Sequence, residues 1–536
     1  MGHRLFLRPL KPVATSASRP RLFAAARRAR AFRHTWIAIP LGLAGLIALS
    51  LALRTGHLGI GFWIDEGLSV GIADRPLTDI PAALRKDGSP PLYYMLLHFW
   101  LALAGDSEEG VRSFSLACAL LAIPVGWWAG RTVWGTQKAG WFAAVLMTFN
   151  PFLSQYAQEA RMYAMVALLA IPATVCFLRA YALDTDNRRP WIIGFALSEA
   201  LALYTHNWPI FFGAAAGVAW LVLLALSDRR RALFKDGLWG FGGVAVLYLP
   251  WVPTTLYQAQ HTGAPWADAP ALSSLFGVPG VILGRLPEIV LLICAGAGLI
   301  AILRTRPLSA HGRAAIALLI ICVLTPTLAW LLSQSSPAWA NRYLAVAIPP
   351  VLLLATGGLA YARRLGVFGL VLVVIMWAQD TSPVEKSNVR AIAHTIGPSL
   401  APGDLVISTQ PETIPLLHYY LPEGLRYATL TGEETDFGVW DWRDGVERLE
   451  ATSAEADLAP LIASLEPGTR VVLVEPIVWT LNRWRAPWTK LIRIRSKEWT
   501  QALSNDPTMQ ITSIQPTNFT PPRPNPVRAT VYVKTE

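Results

Sequence analysis

For about the first 380 residues, long apolar runs alternate with short polar stretches; beyond that point the pattern changes. A helix needs about 20 apolar residues to cross a hydrocarbon core about 30 Å thick. By that measure the runs predict eleven spans, near 36–53, 111–130, 139–153, 163–181, 191–206, 209–226, 238–255, 287–303, 314–332, 343–361 and 366–378. Residues 90–104, PPLYYMLLHFWLALA, are apolar but short. They follow a Pro-Pro pair and carry Tyr93, Tyr94, His98 and Trp100, which predicts a helix lying in the membrane interface.

From 380 onward the charge density rises. The runs DLVIST (404–409) and RVVLVE (470–475) read as strands, and 388–397, 455–465 and 488–503 read as helices. That alternation predicts a small α/β domain over 380–536, with TPPRPNP (520–526) as a proline-rich link to a last short strand. The chain therefore divides into a basic arm (1–35), a membrane region (36–379) and this tail.

Composition agrees with the pattern. Of 536 residues 53% are hydrophobic and only 15% are charged, against roughly 25% charged in soluble domains. The net charge of +11 does not require a nucleic-acid partner, because the excess sits in short loops between apolar runs. Assigning alternate loops to opposite sides puts 23 Lys and Arg with the N-terminal arm and 8 opposite, which predicts a cytoplasmic arm. Both the 54–110 loop and the tail then lie outside the cytoplasm. The arm resembles a signal peptide but lacks a small-x-small cleavage site, so an uncleaved first span is expected. Cys118, Cys176, Cys294 and Cys322 fall in apolar segments without metal or redox spacing.

The candidate chemistry gathers on the outer side. FWIDEGLS (62–69) places Asp65 and Glu66 together, with Phe62 and Trp63 read as an anchor at the bilayer surface. GSPPLYY (88–94) returns the same loop to the membrane. NPFLSQYAQEARMYAM (150–165) brings Glu159, Arg161 and Tyr163, YTHNW (204–208) brings His206, and Arg342-Tyr343 opens the tenth span. Ionisable residues at this depth are costly and mark function by default. A carboxylate is suited to take a proton from a hydroxyl, and arginines are suited to hold a phosphate. The combination points to transfer of a group from a lipid phosphate to an acceptor hydroxyl. A transporter of lipid-linked sugars would instead want symmetric halves and broken helices at mid-membrane depth, and no internal repeat is visible. A structural role for the outer domain leaves the carboxylate–arginine set without a purpose.

The DE pair, SPPLYY with LLHFW, QEARMYA, YTHNW and NRY occur in an order that resembles bacterial members of the protein O-mannosyltransferase-like superfamily, glycosyltransferase family 39, over roughly residues 36–380. The resemblance implies a GT-C fold and an integral membrane transferase using a polyprenyl-phosphate monosaccharide with inversion. An arabinofuranosyl- or aminoarabinosyl-transferase of the same fold would change the sugar and keep the mechanism. It implies Asp65 as base, Glu66 orienting the acceptor or supporting Asp65, and Arg161, Arg342 and Tyr343 on the donor phosphate. Tyr93, Tyr94, Glu159, Tyr163 and His206 would line the site. Some relatives hold a divalent metal, but no ligand set in the sequence argues for one and no cofactor is expected. The partners implied are the donor, membrane lipids and a hydroxyl-bearing protein, lipid or polysaccharide, in the plasma membrane.

Overall fold

The computed structural model describes residues 19–378, 385–479, 481, 484–516 and 524–536, with side chains from residue 37 onward. The basic side chains of the arm and residues 520–523 of the proline-rich link lie outside the described residues. The protein is a helical polytopic membrane protein with a mixed α/β tail. All eleven expected spans are helical. Eight helices among the described residues are long and apolar enough to cross a membrane. The other three, Gln137–Phe149, Arg189–Thr205 and Arg363–Trp377, have 13, 17 and 15 residues and fall short of that length. Composition reads apolarity well and length poorly, because helix ends are set by caps and turns rather than by hydropathy. Leu92–Ala104 is a short apolar helix that leaves Leu96, Phe99 and Leu103 exposed along one side.

The tail folds into a six-stranded sheet of β1 (Leu405–Ser408), β2 (Arg426–Thr429), β3 (Gly432–Glu433), β4 (Arg470–Pro476), β5 (Met509–Gln515) and β6 (Val527–Lys534). The order is β3-β2-β1-β4-β6-β5. β1 runs parallel to β2 and β4, pairing Val406 with Tyr427 and with Val472, while the remaining pairs are antiparallel. Being central, β1 is buried at every position, which is why it reads as a continuous apolar run. The expected strands and helices are present. β2, β3 and β5 carry no comparable apolar run, and the sequence reading does not include them.

The tail is tied closely to the 54–110 loop. Residues 64–73 of that loop form a short helix, Ile64–Ala73, with glycines at 67 and 71 on one face. A Cβ on Gly67 would stand 2.9 Å from the Leu416 Cα, and one on Gly71 would stand 2.4 Å from the Gly438 carbonyl oxygen. Backbone meets backbone at both points, which only glycine permits. Further ties run from Phe62 N–H to Tyr420 Oη (2.7 Å), from Trp442 N–H to the Lys86 carbonyl (3.0 Å), and from Arg75 and Lys86 to Asp436.

Candidate active site

The two adjacent acids occupy the first turn of Ile64–Ala73, where the helix dipole favours negative charge. Trp63 is the N-cap, and its N–H donates to Glu66 Oε2 at 3.3 Å. Consecutive residues on a helix diverge by about 100°, so the pair splits into two environments. Asp65 faces a cavity of about 510 Å³, with its side chain 20% exposed. Glu66 turns the other way and is almost wholly buried.

Glu66 is held on three sides. Arg112 Nε donates to its Oε1 at 2.8 Å and Nη2 to its Oε2 at 2.7 Å, while Ala160 N–H donates to Oε1 at 2.8 Å. Arg112 spends its remaining donors on the carbonyls of Leu58, Ile60 and Gly61. The carboxylate thus fixes Asp65 beside it and, through Ala160, Arg161. It does not line the cavity that Asp65 faces.

Arg161 follows directly. Its Nη1 donates to the Asp65 carbonyl (3.1 Å), Ser69 Oγ (3.2 Å) and Tyr94 Oη (3.3 Å), and the side chain lines the same cavity. Arg342 reaches it from the 3₁₀ turn Asn341–Ala347, with Nη2 3.4 Å from Asp65 Oδ2. Its guanidinium lies 5.6 Å from the Trp63 ring and 5.1 Å from that of Trp266, a cation–π setting that holds a flexible side chain in place. Tyr343 lines the cavity beside His206, ring centroids 4.7 Å apart.

His206 caps the helix Arg189–Thr205 and accepts the Trp208 N–H on Nδ1 at 3.0 Å, leaving Nε2 as the donor. Burial and then the Arg161 and Arg342 charges push its pKa down to about 3, so the imidazole is neutral. Glu159 pairs with Lys386 at 2.5 Å, and burial pushes its carboxyl above the usual range against the pull of that lysine. It lines a second cavity of about 430 Å³, which shares Trp63 and Lys386 with the first.

Three expected residues sit behind the cavity wall. Tyr93 packs on Phe114 and Tyr94, and Tyr163 packs behind His206 and Tyr343. The Tyr94 hydroxyl accepts from Arg161 Nη1 and donates to Ser89 Oγ, each at 3.3 Å. Phe62 and Trp63 are buried in protein, and so do not serve as a bilayer anchor. Phe62 lies against Tyr419 and under Arg112, and Trp63 under Arg342 and Lys386.

The sequence reading missed several residues. Arg112 carried one signal, being among the few cations on the sparse side. Asp87 ends the helix Ile80–Asp87 just before GSPPLYY and lines the Asp65 cavity. Burial raises its carboxyl, with the Asp65 charge adding to the effect and Arg161 opposing it. Lys386, Gln410, Glu412, Trp442 and Trp484 come from the tail and carried no sequence signal. No group of three or more His, Cys, Asp or Glu among the described residues is placed to hold a metal ion.

Comparison with known proteins adds to this picture. Residues 88–257 match the family described as dolichyl-phosphate-mannose-protein mannosyltransferase, in line with the resemblance read from the motifs. No curated protein matches the chain. Among solved structures, ArnT from Cupriavidus metallidurans in the apo state is 14% identical with a TM-score of 0.61, covering 93% of this chain and 98% of that one. Its form bound to undecaprenyl phosphate is 16% identical with a TM-score of 0.59 over the same shares. The oligosaccharyltransferase AglB from Archaeoglobus fulgidus, in complex with an inhibitory peptide and a dolichol-phosphate, is 11% identical with a TM-score of 0.53, covering 89% and 73%. The arabinofuranosyltransferase AftD from Mycobacteria gives 13% and 0.53 over 94% of this chain but only 40% of its own. The fold is accordingly GT-C-like from the membrane helices through the tail.

Proposed function

We propose that the protein is a membrane glycosyltransferase that moves a monosaccharide from a polyprenyl-phosphate carrier to an acceptor hydroxyl. The observation that carries the reading is the meeting of Asp65, Arg161 and Arg342 in one cavity. The family match over residues 88–257 and the fold shared with ArnT in its undecaprenyl phosphate-bound form support it.

In this reading Asp65 takes the proton of the acceptor hydroxyl as that oxygen attacks the anomeric carbon from the face opposite the leaving group. The bond from that carbon to the phosphate oxygen breaks, and the configuration inverts. Arg161 and Arg342 bind the departing phosphate and stabilise its growing charge. The neutral His206 offers Nε2–H as a further donor, and Tyr343 packs beside it. Glu66 and Arg112 hold the helix that carries the base. The site faces the non-cytoplasmic side of the plasma membrane, as the distribution of Lys and Arg favours.

Mass spectrometry of cell-envelope glycoconjugates tests this, with and without the gene and with Asp65→Asn supplied in its place. The expected result is one monosaccharide addition lost on deletion and not restored by the variant. An unchanged glycoconjugate profile overturns the reading.

A further inference from the structure

The parallel strands β1 and β4 of the tail sheet are each followed by residues that line the cavity of Asp65. The segment after β1 supplies Gln410 and Glu412. Trp442 lies beyond the β2–β3 hairpin, and the segment after β4 supplies Trp484 and Thr489. β1 and β4 are neighbours whose connections leave in opposite directions, to β2 on one side and towards β5 and β6 on the other. In α/β sheets the crevice outside the carboxyl ends at such a switch point is where ligands bind. Here the crevice opens onto the membrane site.

The chemistry of this wall is specific. Two indoles, an amide, a hydroxyl and a carboxylate line it, and none of these five residues carries a positive charge. Glu412 is buried and held by Gln410 Nε2 (2.9 Å) and by Trp488 Nε1 (3.2 Å). The cations that line the same cavity are engaged, Arg161 and Arg342 at Asp65 and Lys386 with Glu159, so the five side chains of this wall offer an anionic acceptor no positive partner. Flat apolar rings beside fixed hydrogen-bonding groups suit a ligand with C–H faces and many hydroxyls.

We infer that the tail wall formed by Gln410, Glu412, Trp442, Trp484 and Thr489 is a binding subsite for a neutral saccharide, which presents the acceptor hydroxyl to Asp65. The inference rests on the transferase reading and names the acceptor class within it. The tail then selects the acceptor, and the membrane helices handle the donor phosphate.

The test uses the full chain in lipid nanodiscs. Neutral tetrasaccharides of glucose, mannose and galactose are the probes, with a glucuronate tetrasaccharide and a Ser/Thr-rich peptide as comparators. Saturation-transfer NMR reads binding, and undecaprenyl phosphate is titrated in parallel. At least one neutral tetrasaccharide is expected to bind saturably, and Trp484→Ala and Glu412→Gln to weaken it by about tenfold, roughly 1.4 kcal/mol, while undecaprenyl phosphate binding is unchanged. Trp484 is partly exposed, so that variant tests the wall even if Glu412→Gln fails to fold. Binding of only the glucuronate probe or only the peptide overturns the subsite, as does saccharide binding that both tail variants leave intact. Absence of any saccharide binding, with undecaprenyl phosphate still bound, overturns the subsite and leaves the transferase reading standing. Loss of undecaprenyl phosphate binding in the unaltered protein counts against both.

Discussion

Arg112 and Glu66 form a doubly hydrogen-bonded ion pair at 2.8 and 2.7 Å, with both side chains 1% exposed. The pair joins the start of the second membrane span to the first turn of the helix that carries Asp65. Removing one partner would strand a buried charge, at a cost of about 3–5 kcal/mol. Arg112→Ala is therefore expected to lower the thermal stability sharply and cut the yield of folded protein, read by fluorescence-detected size exclusion across a temperature series.

Asp65 should behave in the opposite way. It is partly exposed, and its only ion pair among the described residues is with Arg342 at 3.4 Å. Asp65→Asn is expected to keep Tm within about 2 °C, since exposed pairs contribute about 1 kcal/mol or less. Turnover should fall by about 10²–10⁴-fold, the usual worth of a general base. Turnover near that of the unaltered protein in a transfer assay would remove Asp65 from the base role.

Arg161 touches both the loop and the cavity. Charge-assisted hydrogen bonds contribute about 1.5–3 kcal/mol, so Arg161→Ala is expected to weaken donor binding by about 10–150-fold. Titration with undecaprenyl phosphate measures it. A loss of Tm without a loss of affinity would make the residue structural.

His206 gives a pH test. Its folded pKa of about 3 lies below the unfolded value of about 6.5. The unfolded chain therefore binds more protons between those values, and the histidine's contribution to stability fades as pH falls through that window. Tm is expected to drop less between pH 7 and 5 in His206→Gln than in the unaltered protein. Equal drops would mean that the imidazole is already charged in the folded state.

The glycine contacts predict an interface effect. Gly71→Leu would drive a side chain into the Gly438 backbone, 2.4 Å from an added Cβ. The tail is expected to become sensitive to limited proteolysis near residue 380, with the membrane helices intact. An unchanged digestion pattern would show that the helix and the tail can separate slightly without loss of order.

The membrane class, the helical positions of the spans, the central strands β1 and β4, and the polar motifs at span ends were legible because each is local. Apolar runs, alternation and ionisable residues at span ends are properties of short windows. Asp65, Arg161, Arg342, His206 and Tyr343, from four separate motifs, line one cavity. The roles of neighbours were not legible. Nothing in the string DE says which acid faces the cavity, nor does YY separate Tyr94, which meets Arg161, from Tyr93, which packs behind it.

By itself, then, the sequence determined that this chain folds in a membrane and that its polar chemistry gathers at span ends, because hydrophobic free energy and the cost of buried charge act residue by residue. Tertiary structure alone decided that Glu66 is spent on Arg112, that Trp63 lies under cations rather than in lipid, and that Glu412 and Trp484 arrive from hundreds of residues away to close the cavity. These outcomes depend on which surfaces meet, and such contacts are fixed only when the whole chain packs.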